Sequence, residues 1–506
     1  MIDRAELAEL AATHRLVPLT RSLFADAETP VGVYRKLAAG RPGTFLLESA
    51  EPGRSFSRWS FVGVRSVASL SANGDDAVWT GAVPPGLPTA GDPLQVLGAA
   101  WRAINGPRLP GLPPLTGGFV GYLGYDVVRR IETLPAKAVD DLGLPELTML
   151  LVTDLAAVDH HECTVVLIAN ALVHPGMSRG ELDAAYDDAV ARLDQMQAAL
   201  ATPASPTVAS VTATPPRPGQ SGWAPGDYQR VVEACIEAIR AGEVFQILPG
   251  QRFEVHTDAA PLDVYRVLRT LNPSPYMYYL HLDGLDIVGS SPEALVTVHG
   301  REATIHPIAG TRKRGATPER DAELVHELVN DPKERAEHVM LVDLARNDLG
   351  RVCTPGSVRV VEFGVVEKYS NVSHIVSTVT GEVRAGADAF DVFTSAFPHG
   401  TVTGAPKVRA MELIEEFEPV RRGIYSGALG YLDPAGDIDM AICLRTAVMV
   451  PQTGGWTAYV QAGAGIVADS IPALEEKETQ NKARAVLQAI ATAETLRPVA
   501  PAIPDA

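Results

Sequence analysis

Apolar positions along this chain recur with two different periods. Before about residue 200, short alternating or continuous apolar runs at 43–48, 60–64, 148–152 and 164–168 lie between Gly- and Pro-containing turns and predict strands. Residues 181–199 repeat their apolar positions at helical spacing, and the opening MIDRAELAELAATHRL reads as an amphipathic acidic helix. Downstream, Asp227 is expected to cap a helix with Val231, Cys235 and Ile239 on one face, closed by Gly242 ahead of a strand at 244–248. Further strands are predicted at 276–282, 287–289, 294–298, 357–367, 424–432, 442–450 and 458–462, with few helices between them. Strands in such hairpin-like succession predict an α+β fold with large antiparallel or mixed sheets.

The periodicity lapses once, at 201–222 (ATPASPTVASVTATPPRPGQSG), where Pro, Ala, Ser and Thr dominate and Arg217 is the single charge. A chain of 506 residues exceeds the usual size of one core. The expected division is therefore an α/β domain at 1–200, a linker at 201–223, a second domain at 224–495 and a tail at 496–506. Composition is that of an ordinary globular protein, with 46% apolar and 21% charged residues, and no run is long and apolar enough to cross a bilayer. The N-terminus lacks the basic-then-apolar order of a secretory signal, so a cytoplasmic location is expected. Four cysteines, at 163, 235, 353 and 443, have no paired or metal-type spacing and predict reduced, mostly buried thiols. A net charge of −18 argues against nucleic acid, and an anionic substrate would need a local basic site.

Two glutamate pairs change this picture, because neither is needed to build a core. Glu334 and Glu337, and Glu475 and Glu478, each stand three apart near the start of a probable helix, so each pair shares a face. Turned toward each other, the two faces would gather a charge near minus four, and a divalent ion is its natural neutraliser. Hard carboxylate oxygens with room for water suit Mg2+. Solvated glutamates, favoured by the dipole of a first helical turn, are the plainer reading. The helix at 331–351 accepts Pro332 in its first turn and continues so apolar that burial is expected.

That helix, with Pro307-Ile-Ala-Gly-Thr-Arg-Lys-Arg-Gly315, Gly404-Ala-Pro-Lys-Val-Arg-Ala-Met411 and Gly463-Ala-Gly-Ile-Val-Ala-Asp-Ser470, resembles the chorismate-utilising enzymes, and among them the large subunits of anthranilate synthases. The likeness covers essentially the whole chain, with its motifs densest at 224–490. It implies a large two-layer β-sandwich of mostly antiparallel sheets flanked by helices, with the active site in a cleft between the sheets. The activity it implies is Mg2+-dependent conversion of chorismate and ammonia to anthranilate and pyruvate, the committing step of tryptophan biosynthesis. Water-using isochorismate and salicylate synthases carry a lysine base where this chain has Gln246, which cannot act as a base. Aminodeoxychorismate synthases often carry a lysine nucleophile where this chain has Ala309. An aminodeoxychorismate synthase and a non-catalytic tryptophan-binding relative remain the alternatives.

By the same resemblance, Glu337 and Glu478 ligate the metal while Glu334 and Glu475 hold its waters. Glu293 matches the general acid that protonates the departing 4-hydroxyl; a cap or salt-bridge partner is the structural alternative. His374 matches the histidine of pyruvate loss and aromatisation, although a lone histidine beside apolar residues is more often a satisfied core residue. Arg445 and Tyr425 should hold the enolpyruvyl carboxylate, with Thr401 and Gln246 also at the substrate. The backbone amides of Gly310, Thr311, Gly463, Ala464 and Gly465 should approach anionic oxygen, and Lys482 adds positive charge. No cysteine lies in a Gly-x-Cys-x-Gly elbow, so glutamine use needs a separate amidotransferase subunit, the component II of such enzymes, in a heterodimer or heterotetramer. Leu46-Leu-Glu-Ser49 and Asn272-Pro-Ser-Pro-Tyr-Met-Tyr278 resemble the two halves of a tryptophan inhibitor site. Its expected residues are Leu47, Glu48, Ser49, Asn272, Pro273, Ser274, Met277 and Tyr278, with Pro273, Met277 and Tyr278 forming one apolar slot for indole.

Overall fold

The computed structural model describes residues 1–38, 40–49, 58–203, 208–368 and 372–499. Its strands form two stacked antiparallel layers. The first sheet runs from Leu16–Phe24 through Thr164–Leu172, the second half of Leu147–Asp159 and the first half of Trp59–Asn73 to Thr44–Glu48. It continues through Tyr276–Leu282, Leu285–Ser291, Thr446–Gln452 and Gly455–Gly463 to Gly250–Thr257. The second sheet starts at Asp76–Gly81 and takes in the second half of Trp59–Asn73, the first half of Leu147–Asp159 and Gly118–Leu123. It goes on through Ala428–Leu432, Ile438–Ile442, Ala294–His299 and Glu302–Ile305 to Val372–Glu382, which also pairs Ile308–Lys313 and Arg359–Lys368. Two long strands thus serve both layers, and register shifts between Gly63 and Ala68 mark the bulged corner where they cross over.

Apolar side chains sort into layers accordingly. Phe45, Phe61, Tyr122, Leu150, Tyr278 and Tyr431 pack between the sheets. Tyr34, Leu193, Tyr265 and Val486 join the outer face of the first sheet to the helices Pro30–Leu37, Arg179–Ala201, Pro261–Leu271 and Pro472–Ala493. Trp101, Phe390, Phe393 and Val342 do the same for the second sheet. Strands such as Leu147–Asp159 are buried at nearly every position because both of their faces are covered. This is the helix-flanked two-layer sandwich that the resemblance implied.

The division at 201–223 is corrected. Thr44–Glu48 pairs with Tyr276–Leu282, and Gly118–Leu123 with Ala428–Leu432, so both sheets draw strands from either side of that stretch. Composition marks where backbone runs over a surface, not which strands meet. The stretch itself is pinned, with Ala209–Ser210 pairing Arg497–Pro498 and Gln220–Ser221 pairing Phe253 and Glu254. Residues 204–207 of the expected linker and 500–506 of the expected tail lie outside the described residues.

Several local expectations also shift. The helix Asp227–Arg240 starts from Gly226, whose left-handed φ of 84° turns the chain, and Asp227 is its first residue, not its cap. The strand expected at 244–248 shrinks to Gln246–Ile247. The helix Pro332–Gly350 is not buried all round: His338, Leu341, Val342, Ala345, Asp348 and Leu349 form an inner stripe while Val339 is 47% exposed. Cys235, Cys353 and Cys443 are buried free thiols, whereas Cys163 is exposed.

Candidate active site

The helix starts that carry the two glutamate pairs lie near one another. Asp331 caps the helix Pro332–Gly350 by accepting from the amides of Lys333 and Glu334, which fixes where Glu334 and Glu337 emerge. Glu475 and Glu478 lie in the first two turns of Pro472–Ala493. Lys333 and Lys482, one from each helix, both act electrostatically on Glu337 and on Glu475, so the two N-terminal ends converge. The expected bare charge of minus four is corrected, because each pair already has company. Arg312 donates to Glu334 at 2.9 Å and Lys482 to Glu478 at 2.8 Å, while Gln246 Nε2 donates to Glu337 at 2.8 Å. Burial, reinforced by Glu334, still raises the pKa of Glu337, and burial with Glu478 raises that of Glu475.

Among the described residues no three His, Cys, Asp or Glu side chains converge closely enough to hold a metal by themselves. The donor chemistry nevertheless fits an ion that takes one or two carboxylates and keeps the rest of its shell as water and substrate oxygen. Glu337 and Glu478 would supply those carboxylates, and Glu334 and Glu475, one turn before them, would meet the water.

Glu293 follows Leu285–Ser291 and lies 6% exposed, with its Oε1 bonded to none of the described residues. Burial pushes its pKa up to about 8, against a hydrogen bond with Thr401 and the positive charges of Arg445 and Lys482. Near neutral pH it is therefore a protonated acid in a site that contains two cations. Arg445 itself is off the strand expected at 442–450. The chain breaks between Ile438–Ile442 and Thr446–Gln452, and Arg445 sits in the break at φ 49°, a left-handed conformation that costs a non-glycine residue about 1–3 kcal/mol. Tyr425 likewise precedes its strand, which starts at Ala428, and is followed by Ser426 at φ 63°. The guanidinium of Arg445 feels Tyr425, Glu478 and Glu293, and burial lowers its pKa.

His374 donates from Nδ1 to the Gly310 carbonyl at 2.9 Å, so Nε2 is the basic atom of this tautomer. Burial lowers its pKa, helped by Arg445, so it is neutral. Gly310 has φ 63°, and a Cβ there would come within 3.0 Å of Glu334 Oε2, so glycine lets the Ile308–Lys313 strand run beside the helix Pro332–Gly350. Thr311 pairs with His374 across the sheet. Lys482 also donates to the Gly463 carbonyl at 2.9 Å, and a Cβ at Gly465 would meet Gln246 Nε2 at 2.8 Å. Ala464 packs its methyl with Tyr228, Val232 and Ile414, which leaves only its backbone for a ligand. One cluster beneath Tyr425 escaped the sequence reading. Buried Arg422 pairs with Glu418 at 2.7 Å, lies over the rings of Tyr125 and Tyr425, and donates to the carbonyls of Val402 and Leu248. His399, between Pro398 and Thr401, is a second omission, since nothing in its spacing signals that it faces Glu293.

The two inhibitor segments are neighbours, with Leu47 opposite Tyr278 and Glu48 opposite Met277. Ser49 Oγ is buried without a hydrogen-bond partner among the described residues. Glu48 is committed elsewhere: it accepts from Tyr265 and from both Nε and Nη2 of Arg269, tying its strand to Pro261–Leu271. The single apolar slot is corrected. Consecutive strand residues point to opposite faces, so Met277 packs under the helices while Tyr278 packs between the sheets and bonds Thr446. Asn272 and Ser274 both bond Ser290, whose amide donates to the Arg445 carbonyl at 3.2 Å.

The sequence model of the chorismate binding enzymes matches residues 42–488. The chain belongs to that family. It is 57% identical over 503 residues to anthranilate synthase component 1 of Mycobacterium tuberculosis, covering 98% of this chain and 96% of that one. To the protein of the same name from Mycolicibacterium smegmatis it is 56% identical, covering 98% and 94%. Crystallographic anthranilate synthase component I from Streptococcus pneumoniae superposes with a TM-score of 0.74 at 33% identity, over 92% of this chain and 99% of the other. Menaquinone-specific isochorismate synthase from Escherichia coli shares the fold at a TM-score of 0.66 and 18% identity.

Proposed function

We propose that this chain catalyses the Mg2+-dependent amination of chorismate by ammonia and the ensuing loss of pyruvate, giving anthranilate; its relatives named anthranilate synthase component 1 support this reading. The observation that carries this reading is Glu293, a buried carboxyl protonated near neutrality that feels Arg445 and Lys482, in a chain that has Gln246 where a water-activating base would stand. Arg445 and Tyr425 hold the enolpyruvyl carboxylate, which compensates the desolvated guanidinium. Glu293 gives its proton to the 4-hydroxyl, which leaves as water while ammonia adds at C2, and the proton shed by the new ammonium group restores the acid. Gln246, which titrates with neither, cannot activate water in competition. Neutral His374 then accepts a proton at Nε2 as the ring becomes aromatic. When bound, the cation grips the ring carboxylate and offsets the charge of the glutamate pairs.

Purified chain, chorismate, Mg2+ and ammonium should yield anthranilate fluorescence and equimolar pyruvate. Glutamine should serve only after a component II amidotransferase is added. Amination without pyruvate would instead favour an aminodeoxychorismate product, and glutamine use by the isolated chain would overturn the partner requirement.

Tryptophan is the inhibitor this reading supplies for the 46–49 and 272–278 pair. Ser49 Oγ offers its charged end a buried polar atom that bonds none of the described residues. The bonds from Asn272 and Ser274 to Ser290, and from Ser290 to Arg445, would carry a shift of this segment into the carboxylate clamp. Tryptophan and chorismate should each weaken binding of the other by one common factor, and Ser49→Phe should abolish inhibition with uninhibited kcat nearly unchanged. Calorimetry that detects no tryptophan binding, with or without the partner subunit, would sink the proposal.

A further inference from the structure

Arg422 is 3% exposed and has no part in the chemistry above, yet its guanidinium uses every donor it has. Nε and Nη2 donate to Glu418 at 3.0 and 2.7 Å, and Nη2 also donates to the Leu248 carbonyl at 2.5 Å. Nη1 donates to the Val402 carbonyl at 2.7 Å and to Ser426 Oγ at 3.3 Å. Those bonds account for all five N–H groups of an arginine. Glu418, 5% exposed, also accepts from the Gly250 amide at 2.6 Å. Burial works against the cation, but Glu418 and the rings of Tyr125 and Tyr425 outweigh it and raise its pKa above the ordinary value, so it stays charged.

Stability does not call for such a pair, because apolar residues of the same volume often hold a core as well as a buried ion pair does, or better. What the pair reaches is the site. Leu248 stands two residues after Gln246, Val402 follows Thr401, and Ser426 follows Tyr425. Ser426 makes its left-handed turn, φ 63°, directly after Tyr425, and the bond from Arg422 helps to hold it there. Two features then place the Tyr425 ring. The guanidinium carbon lies over it, 5.6 Å from the centroid, within reach of a cation–π attraction that is strongest where water is excluded. Gly250 and Gly463, opposite each other in neighbouring strands, leave room for its edge: a Cβ at Gly250 would stand 3.4 Å from Cε1, and one at Gly463 2.9 Å from the hydroxyl oxygen. The Gly463 carbonyl accepts from Lys482, so the hydroxyl end of the ring lies toward the strand end that Lys482 holds.

We propose that Arg422, braced by Glu418, is a positioning residue that fixes the Tyr425 ring so that its hydroxyl meets the enolpyruvyl carboxylate, and that ties this ring to the Gln246 and Thr401 segments. This rests on the reading of Tyr425 as a ligand of that carboxylate. Only a planar fork makes all of those bonds at once; lysine carries the charge but has three donors on a single atom.

The test compares Arg422→Lys, Tyr425→Phe and the double variant by KM for chorismate and by kcat, at saturating Mg2+ and ammonium, with the folded fraction measured by circular dichroism. Lysine keeps a cation for Glu418, so that carboxylate is not left buried alone. Arg422→Lys should raise KM about tenfold, equivalent to about 1.4 kcal/mol of binding, with kcat little changed, because ground and transition states share the carboxylate contact. Tyr425→Phe should raise KM at least as far, and Arg422→Lys added to it should raise KM no further. A role in stability alone would lower the folded fraction and leave KM in place, which overturns the proposal. A loss of kcat without a change in KM, or two effects on KM that simply add, overturns it as well. Should Arg422→Lys not fold, Glu418→Gln/Arg422→Gln, a neutral pair that still hydrogen-bonds, is read in the same way; failure of both to fold would make the pair an element of stability only and sink the proposal. Tyr425→Phe with wild-type KM, or a wild type that makes no anthranilate, would instead sink the reading beneath it, a distinguishable failure.

Discussion

Glu293→Gln should lower kcat by about 10²- to 10⁴-fold, the usual worth of a positioned general acid, while chorismate affinity stays close to wild type. The amide keeps the shape of the side chain and removes only the transferable proton. The same change should stabilise the fold at alkaline pH. Glu293 is raised from an ordinary value of 4.5 to about 8, so between those values the folded chain holds a proton that the unfolded chain has released. With fewer protons on the unfolded state, stability falls as pH rises through that window and levels off above about pH 8. Glutamine does not titrate, so the variant should lack this decline and exceed the wild type by several kcal/mol, on the order of 2–5, at the top of the window. Denaturant midpoints across pH, set beside single-turnover rates, check both halves. A variant that is slower but loses stability with pH as the wild type does would mean that Glu293 is not protonated in the folded chain.

Features set by local spacing were legible in the sequence. The pairs Glu334/Glu337 and Glu475/Glu478 share faces because helical periodicity leaves no alternative, and Pro332 and Asp331 fix where the first helix begins. The partners of those glutamates were not legible: Arg312, Gln246 and Lys482 reach them through the fold. Apolar runs at 424–432 and 442–450 read as unbroken strands, yet Tyr425 and Arg445 lie just outside regular pairing, where left-handed backbone at 426 and 445 turns the chain. No propensity predicts a serine or an arginine there, because surrounding packing imposes that conformation. The mixing of N- and C-terminal strands was invisible for a related reason. Periodicity reports which face of a strand is buried but says nothing of its neighbour; the resemblance alone brought 46–49 and 272–278 to one site, and it did not show that Thr44–Glu48 and Tyr276–Leu282 pair as strands. His399 represents the limit of this kind of reading, since its relation to Glu293 exists only across the closed site.

Glu337→Gln and Glu478→Gln should each abolish Mg2+-dependent turnover, with Glu334→Gln and Glu475→Gln losing less. The ranking follows from the proposed division between carboxylates that touch the ion and those that touch its water. Loss of a water-holding partner typically costs about 10- to 100-fold in metal affinity, which saturating Mg2+ can restore, whereas loss of a direct carboxylate also removes charge that the ion needs. A readout independent of catalysis is available. An ion that binds only the folded chain stabilises it by about 2.7 kcal/mol at one hundred times its dissociation constant, so the wild-type melting temperature should rise with Mg2+. That rise should vanish in Glu337→Gln and Glu478→Gln and return at higher Mg2+ in the other two variants. In Glu478→Gln, Lys482 also loses its 2.8 Å partner, so positive charge near Glu293 increases and the alkaline limb of any residual activity should move to lower pH. A full Mg2+-dependent rise in either Glu337→Gln or Glu478→Gln would remove that residue from the coordination sphere, and a greater loss in Glu334→Gln than in Glu337→Gln would exchange their roles.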